Sequence, residues 1–122
     1  MDYGFVRVAA ATPNIKVADC FFNATNIIEN IKKAEKNKTS LIVFPELCIT
    51  GYTCSDLFLQ DTLLEDSKKA LKKILQETKN LNITCIVGMP LQYLGKLYNC
   101  GVCFYKGNIL GIVPKTYIPN YN

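Results

Sequence analysis

Histidine is absent from these 122 residues, arginine occurs once, at Arg7, and the seven glycines are scattered. The single CxxC, Cys100 and Cys103, has neither a histidine nor a second cysteine pair to complete a zinc site. Its spacing also puts the two thiols on opposite faces of a strand, so no zinc is expected. One arginine is poor provision for reading nucleic acid, and no nucleic-acid partner is expected. The net charge of +4 is assigned instead to lysines on solvated helix faces, chiefly Lys32, Lys33, Lys36, Lys38, Lys68, Lys69, Lys72 and Lys73. Gly4, Gly88, Gly95, Gly101 and Gly111 stand apart, so there is no glycine loop of the kind that cradles phosphate. No apolar run approaches a membrane span, and no apolar segment follows a basic N-terminus. Neither a membrane partner nor a signal peptide is expected; six cysteines could make three disulfides, but Cys85 lies in an apolar run where a free thiol simply packs, and a cytoplasmic location is expected.

What is present is a folding composition, 49% hydrophobic and 20% charged, in a length that suits one small domain. Its centre is LIVFPELCITGY, Leu41 to Tyr52. Leu41 to Phe44 is apolar without alternation, the mark of a strand buried on both faces. Pro45 cannot donate to a sheet ladder and should stop that strand. Glu46 then lies just past its C-terminal end, the rim where ligand sites gather in open α/β folds. A carboxylate there is commonly a solvated loop residue or a helix cap. The flanking Phe44 and Leu47 argue for poor solvation instead, which would suit Glu46 to general-base work.

Strand and helix alternate around that centre. Phe5 to Ala11 reads as a first strand. Ala24, Ile27, Ile28, Ile31 and Ala34 recur at helical spacing and predict a helix over about Val17 to Lys36. Leu64, Leu71, Ile74, Leu75 and Thr78 predict a second, over about Thr62 to Lys79. Ile83 to Met89 should be a third strand, closed by Pro90. Leu97 to Tyr105 and Ile109 to Thr116 should form a hairpin around Lys106, Gly107 and Asn108. The fold class is α/β. Lys115 is the second chemical candidate, because Pro114 and Pro119 stiffen the segment that carries it. Alone, a lysine at a strand end is usually a snorkelling surface residue. Held in place, its ammonium could stabilise an oxyanion beside the carboxylate.

The segments FPELCITGYTCSDLF (Phe44 to Phe58) and PKTYIPNYN (Pro114 to Asn122) resemble those of the nitrilase, or carbon–nitrogen hydrolase, superfamily. Within it they are most similar to the N-terminal part of the glutaminase domain of glutamine-dependent NAD synthetases. The resemblance covers the whole chain but only about the first half of that domain. It implies the first half of a nitrilase-like four-layer α-β-β-α sandwich. It places the family's general base on Glu46 and its lysine, which supports the oxyanion, on Lys115. Tyr121, in the PNYN segment, and Tyr52, in GYT, would line the glutamine pocket.

The family's third catalytic member, a cysteine after a later strand, has no counterpart among the six here, so the domain is expected to continue past Asn122. The implied reaction is glutamine hydrolysis through a thioester. The ammonia would pass to an ATP- and magnesium-using domain that amidates deamido-NAD, and no cofactor is expected in this stretch. A homo-oligomer is implied for the full-length protein. A stand-alone nitrilase-family amidase, or a short protein that only binds or assembles, are the alternatives. The two expected helices can cover only one face of the sheet, so the other should be open to water.

Overall fold

A computed structural model describes residues 4–51 and 61–118. It holds five strands and two helices: β1 (Val8–Ala10), α1 (Cys20–Lys36), β2 (Leu41–Val43), α2 (Asp61–Glu77), β3 (Thr84–Tyr93), β4 (Lys96–Tyr105) and β5 (Asn108–Ile118). One sheet runs in the order β1-β2-β3-β4-β5. β1, β2 and β3 are parallel, and β4 and β5 are antiparallel to their neighbours. Both helices are crossovers between adjacent parallel strands, so the right-handed rule puts them on the same face. There they pack on each other. This is an α/β fold comprising one helical layer and one sheet layer.

Asp19 starts α1 by accepting the Phe22 N–H at 3.0 Å, the usual service of an N-cap carboxylate. Ala24, Ile27, Ile28, Ile31 and Ala34 then form the buried stripe. α2 buries Leu63, Leu64, Ala70, Leu71 and Ile74. Beneath the helices, Ile42, Cys85 and Phe104 stand side by side across β2, β3 and β4, with Val87 beside Val102. All of these are buried.

The opposite face of the sheet is more open. Val8 is exposed, and Leu41, Val43, Ile86 and Cys103 are only half-buried. The expectation of one uncovered face therefore holds.

Most element ends fall within a few residues of the sequence expectation, and the start of β1 and the end of β3 differ for clear physical reasons. β1 begins at Val8 rather than Phe5, because its partner β2 has only three residues to offer, and Phe5 and Val6 lie exposed. β3 does not close at Pro90 but continues to Tyr93. Pro90 lies beyond Val43↔Ile86, the last β2–β3 pair, where the outer edge of β3 has no strand to donate to. The extension pairs with β4 from Tyr93↔Lys96 inward, through a tight turn at Leu94 and Gly95, both at positive φ. That hairpin was not legible, since Leu94 is an unusual residue for such a turn.

Candidate functional site

The loop after β2 carries Glu46. Phe44 N–H still donates to Ile86 O at 2.9 Å, and Pro45 then ends the ladder. Glu46 to Thr50 coil into turns, closed by Gly51 N–H to Leu47 O at 2.7 Å. Gly88 on β3 fastens the loop: Ile49 N–H donates to Gly88 O at 3.2 Å, the Cys48 thiol donates to the same oxygen at 3.7 Å, and Gly88 N–H donates to the Cys48 sulfur at 3.3 Å.

A further fastening comes from Asn23 on α1, which is fully buried. Its Nδ2 donates to Ile49 O and Lys16 O, each at 2.8 Å, while its Oδ1 accepts from Lys16 N–H at 2.7 Å. Sequence reasoning passed over this residue. A polar side chain within an apolar helical stripe was the only available signal.

The loop lies so close to the sheet that β3 has no room for a side chain beneath it. A Cβ on Gly88 would sit 2.5 Å from Leu47 N, 2.8 Å from Pro45 O and 3.0 Å from the Glu46 carbonyl carbon. Gly88 pairs directly with Gly101 on β4, so both point to the same face. Over Gly101 lies the stem of Lys115, whose Cε is 3.4 Å from the position a Cβ would take.

Lys115 was expected at the very end of a strand, in a segment stiffened by Pro114 and Pro119; the strand runs on past it to Ile118. It therefore lies inside β5, at a bulge. Asn99 pairs with Thr116 and Cys100 with Pro114, leaving Lys115 as the extra residue. A bulge re-aims a side chain, and Pro114 has no N–H to lose from the ladder there. The two candidates do not meet through adjacent parallel strand ends. β3 and β4 separate β2 from β5, and two facing glycines let the loop and the lysine stem converge across them.

Asn99 joins this group. It is buried at 5% exposure, and its Nδ2 donates to Glu46 Oε2 at 3.2 Å. Its Oδ1 is buried with no hydrogen-bond partner among the described residues, which costs about 1–3 kcal/mol for a polar atom so placed. Asn99 was not singled out from the sequence. Nothing in LYNCGV marks it until β4 is aligned against β3 and β5.

The expected poor solvation of Glu46 is corrected: Pro45 and Glu46 are exposed, as is Lys115. Phe44 and Leu47 turn inward and leave the carboxylate outside.

Cys48 is two residues from Glu46, yet its thiol is buried and pushed up to about 11. Burial is the main cause; its backbone hydrogen bonds and the positive charge of Lys115 pull the other way. Lys115 thus acts electrostatically on the Glu46 loop. The Cys85 thiol is pushed up to about 12, first by burial and then by Cys103. Neither is ionised near neutrality, so neither is a ready nucleophile. Tyr52, Cys54 and Tyr121 fall outside the described residues.

A cavity of about 390 Å3 opens beside the carboxylate, lined by Ile15, Pro45, Glu46, Leu47, Cys48 and Gly51. A larger hollow of about 510 Å3 includes Leu91, Tyr98, Cys100, Ile112 and Pro114. It lies on the other face of β4 and β5, away from Glu46, and its walls are almost wholly apolar. The described residues include no group of three or more Cys, Asp or Glu that could hold a metal ion. Among them no helix is long and apolar enough to cross a membrane.

Comparison with known proteins gives a consistent answer. Residues 7–122 match the carbon-nitrogen hydrolase family model. The chain is 38% identical over 119 residues to the glutamine-dependent NAD(+) synthetase of Mycobacterium tuberculosis, covering 98% of this chain and 18% of that protein. It is 34% identical over 117 residues to the synthetase of the same description from Aquifex aeolicus, covering 96% of this chain and 20% of that one. The chain therefore spans about a fifth of the length of these curated relatives.

Among solved structures, a glutamine-dependent NAD(+) synthetase from Cytophaga hutchinsonii superposes with a TM-score of 0.85 at 32% identity, over 94% of this chain and 20% of that one. An amidase from Nesterenkonia sp. superposes with a TM-score of 0.75 at 18% identity, over 93% of this chain and 44% of that one, a likeness of fold alone.

Proposed function

Because the chain belongs to the carbon–nitrogen hydrolase family, matched from residue 7 to residue 122, we propose that it supplies Glu46 and Lys115 to a glutamine-hydrolysing centre. On this reading it is the N-terminal part of the glutaminase domain of an NAD synthetase. The observation that carries the proposal is the convergence of Glu46, Asn99 and Lys115 on one face of the sheet, over the facing pair Gly88 and Gly101. The relatives at 38% and 34% identity support the synthetase reading. The amidase neighbour shares the fold alone and lends the amidase reading no chemical support.

The chemistry is nucleophilic acyl transfer. A cysteine thiol from sequence outside these residues gives its proton to Glu46 and attacks the side-chain amide carbon of glutamine. The tetrahedral oxyanion is stabilised by the Lys115 ammonium. Collapse expels the amide nitrogen, which takes the proton back from Glu46 and leaves as ammonia. Water then hydrolyses the thioester to glutamate with Glu46 as the base, and the thiol is restored. Tyr52 and Tyr121 are assigned to the glutamine pocket.

ATP, magnesium and deamido-NAD belong, on this reading, to a separate synthetase domain, and no step of glutamine hydrolysis runs through them. A cytoplasmic location and a homo-oligomeric full-length form belong to the same proposal.

The test is ammonia release from glutamine by the full-length protein. Glu46→Gln and Lys115→Met should each lower kcat by roughly 1,000-fold or more, as expected for members of a coupled catalytic set. Undiminished release from either variant overturns the assignment. ATP-dependent conversion of deamido-NAD separates a synthetase from a stand-alone amidase.

A further inference from the structure

Asn99 stands where an apolar residue would pack at less cost. It lies in β4 between Pro90 on β3 and Thr116 on β5, and only 5% of it is exposed. Its Oδ1 has no hydrogen-bond partner among the described residues. Among the described residues its side chain makes one hydrogen bond, the Nδ2–H donated to Glu46 Oε2 at 3.2 Å. Thus a buried amide, held by strands on both sides, points its donor at an exposed carboxylate on a loop.

We propose that Asn99 is the positioning residue of Glu46, fixing the carboxylate so that one oxygen, Oε1, both receives the nucleophile's proton and returns it to the leaving nitrogen. The inference rests on the glutaminase reading above. A glutamate side chain has several rotamers, and an exposed one samples them freely unless something holds it. The loop backbone is already fastened, through Gly88 and Asn23. That leaves the side-chain torsions, and a donor from the rigid sheet fixes them.

The same bond makes the two carboxylate oxygens unequal. Oε2 already accepts an N–H, which makes it the less basic oxygen, so an added proton favours Oε1. Glutamine hydrolysis moves one proton from sulfur to nitrogen through this carboxylate. A shuttle that receives and releases at the same atom needs no rotation between the two transfers. The amide orientation is fixed by the same geometry, since a flipped amide would set Oδ1 against Oε2 with no proton between them.

The test is a kinetic and thermal comparison in the full-length protein. Asn99→Leu keeps the volume and removes both the donor and the orphaned oxygen. Its melting temperature should match or exceed wild type, while kcat falls 10- to 100-fold and KM stays within about twofold. Asn99→Asp keeps the shape and loses the donor at neutral pH. Its activity relative to wild type should recover as pH falls, because a carboxyl pair sharing one proton again presents a donor.

A purely structural role predicts a lowered melting temperature with kcat intact, and that result overturns the proposal. So does a kcat in Asn99→Leu equal to wild type, or a loss in Asn99→Asp that is independent of pH. A wild-type protein that releases no ammonia defeats the glutaminase reading itself, and this inference with it. A wild type that hydrolyses glutamine beside an unaffected Asn99→Leu defeats this inference alone.

Discussion

Gly88→Ala and Gly101→Ala should behave oppositely, although the two residues face each other across β3 and β4. A Cβ on Gly88 meets three backbone atoms of the Glu46 loop, the nearest at 2.5 Å. No rotamer change relieves a clash with backbone. Restoring ordinary contact at about 3.5 Å requires the loop to move by about 1 Å. That displacement strains or breaks Gly88 N–H to Cys48 Sγ and Ile49 N–H to Gly88 O. Overpacking of this kind costs about 1–3 kcal/mol and each lost bond about 1 kcal/mol.

Gly88→Ala should therefore destabilise by roughly 2–4 kcal/mol, or about 8–16 °C in melting temperature at this size. In the full-length protein kcat should fall about 100-fold, since the loop that shifts carries Glu46. Gly101 is different. Its Cβ would meet Lys115 Cε at 3.4 Å and Ile86 Cγ2 at 3.7 Å, which are side-chain atoms at near-ordinary distances. Gly101→Ala should change stability by less than about 1 kcal/mol, since the less flexible unfolded chain offsets any small contact cost. Urea denaturation of both variants decides the matter. Equal midpoints, or a Gly88→Ala variant within about 0.5 kcal/mol of wild type, would refute the argument that the loop rests directly on β3.

Asn23→Leu should cost about 2–4 kcal/mol, because it strands Lys16 N–H, Lys16 O and Ile49 O around a buried position; a midpoint shift under about 0.5 kcal/mol would contradict it. Stability should fall as pH rises from 9.0 through about 11 to about 12, measured by urea titration at each pH. The sign follows from the raised folded values of Cys48 and Cys85: the unfolded thiols release protons from about 9.0, while the folded ones still hold theirs. The isolated 122-residue chain should bind a hydrophobic dye and sediment above 13.7 kDa, since Phe5, Val6, Val8, Leu110 and Val113 are exposed; a dye-silent monomer with a sharp melt would show that this surface is covered. The same chain should release no more ammonia from glutamine than its Glu46→Ala control, because Cys48, the cysteine two residues from Glu46, is buried and its thiol is pushed up to about 11; release above that control would point to a nucleophile within these residues.

The sequence by itself determined the parts that depend on local order. Ala24, Ile27, Ile28, Ile31 and Ala34 repeat every three or four residues, and α1 forms where that stripe predicts. Leu41 to Phe44 followed by Pro45 marks a strand and its end, so the place of Glu46 along the chain was readable. The tertiary structure alone decided what stands beside that carboxylate. Gly88 and Gly101 are unremarkable in isolation, and become a shared clearing only when β3 and β4 pair in that register. Lys115 lies 69 positions from Glu46, and its bulge exists only because Cys100 takes Pro114, and Asn99 Thr116, as partner. Asn99 likewise reaches Glu46 across 53 positions. Side-chain periodicity tells which face a residue occupies within its own strand, but carries no record of the neighbouring strand's register. That register is set by packing, turn geometry and bulges together, and there the site is assembled.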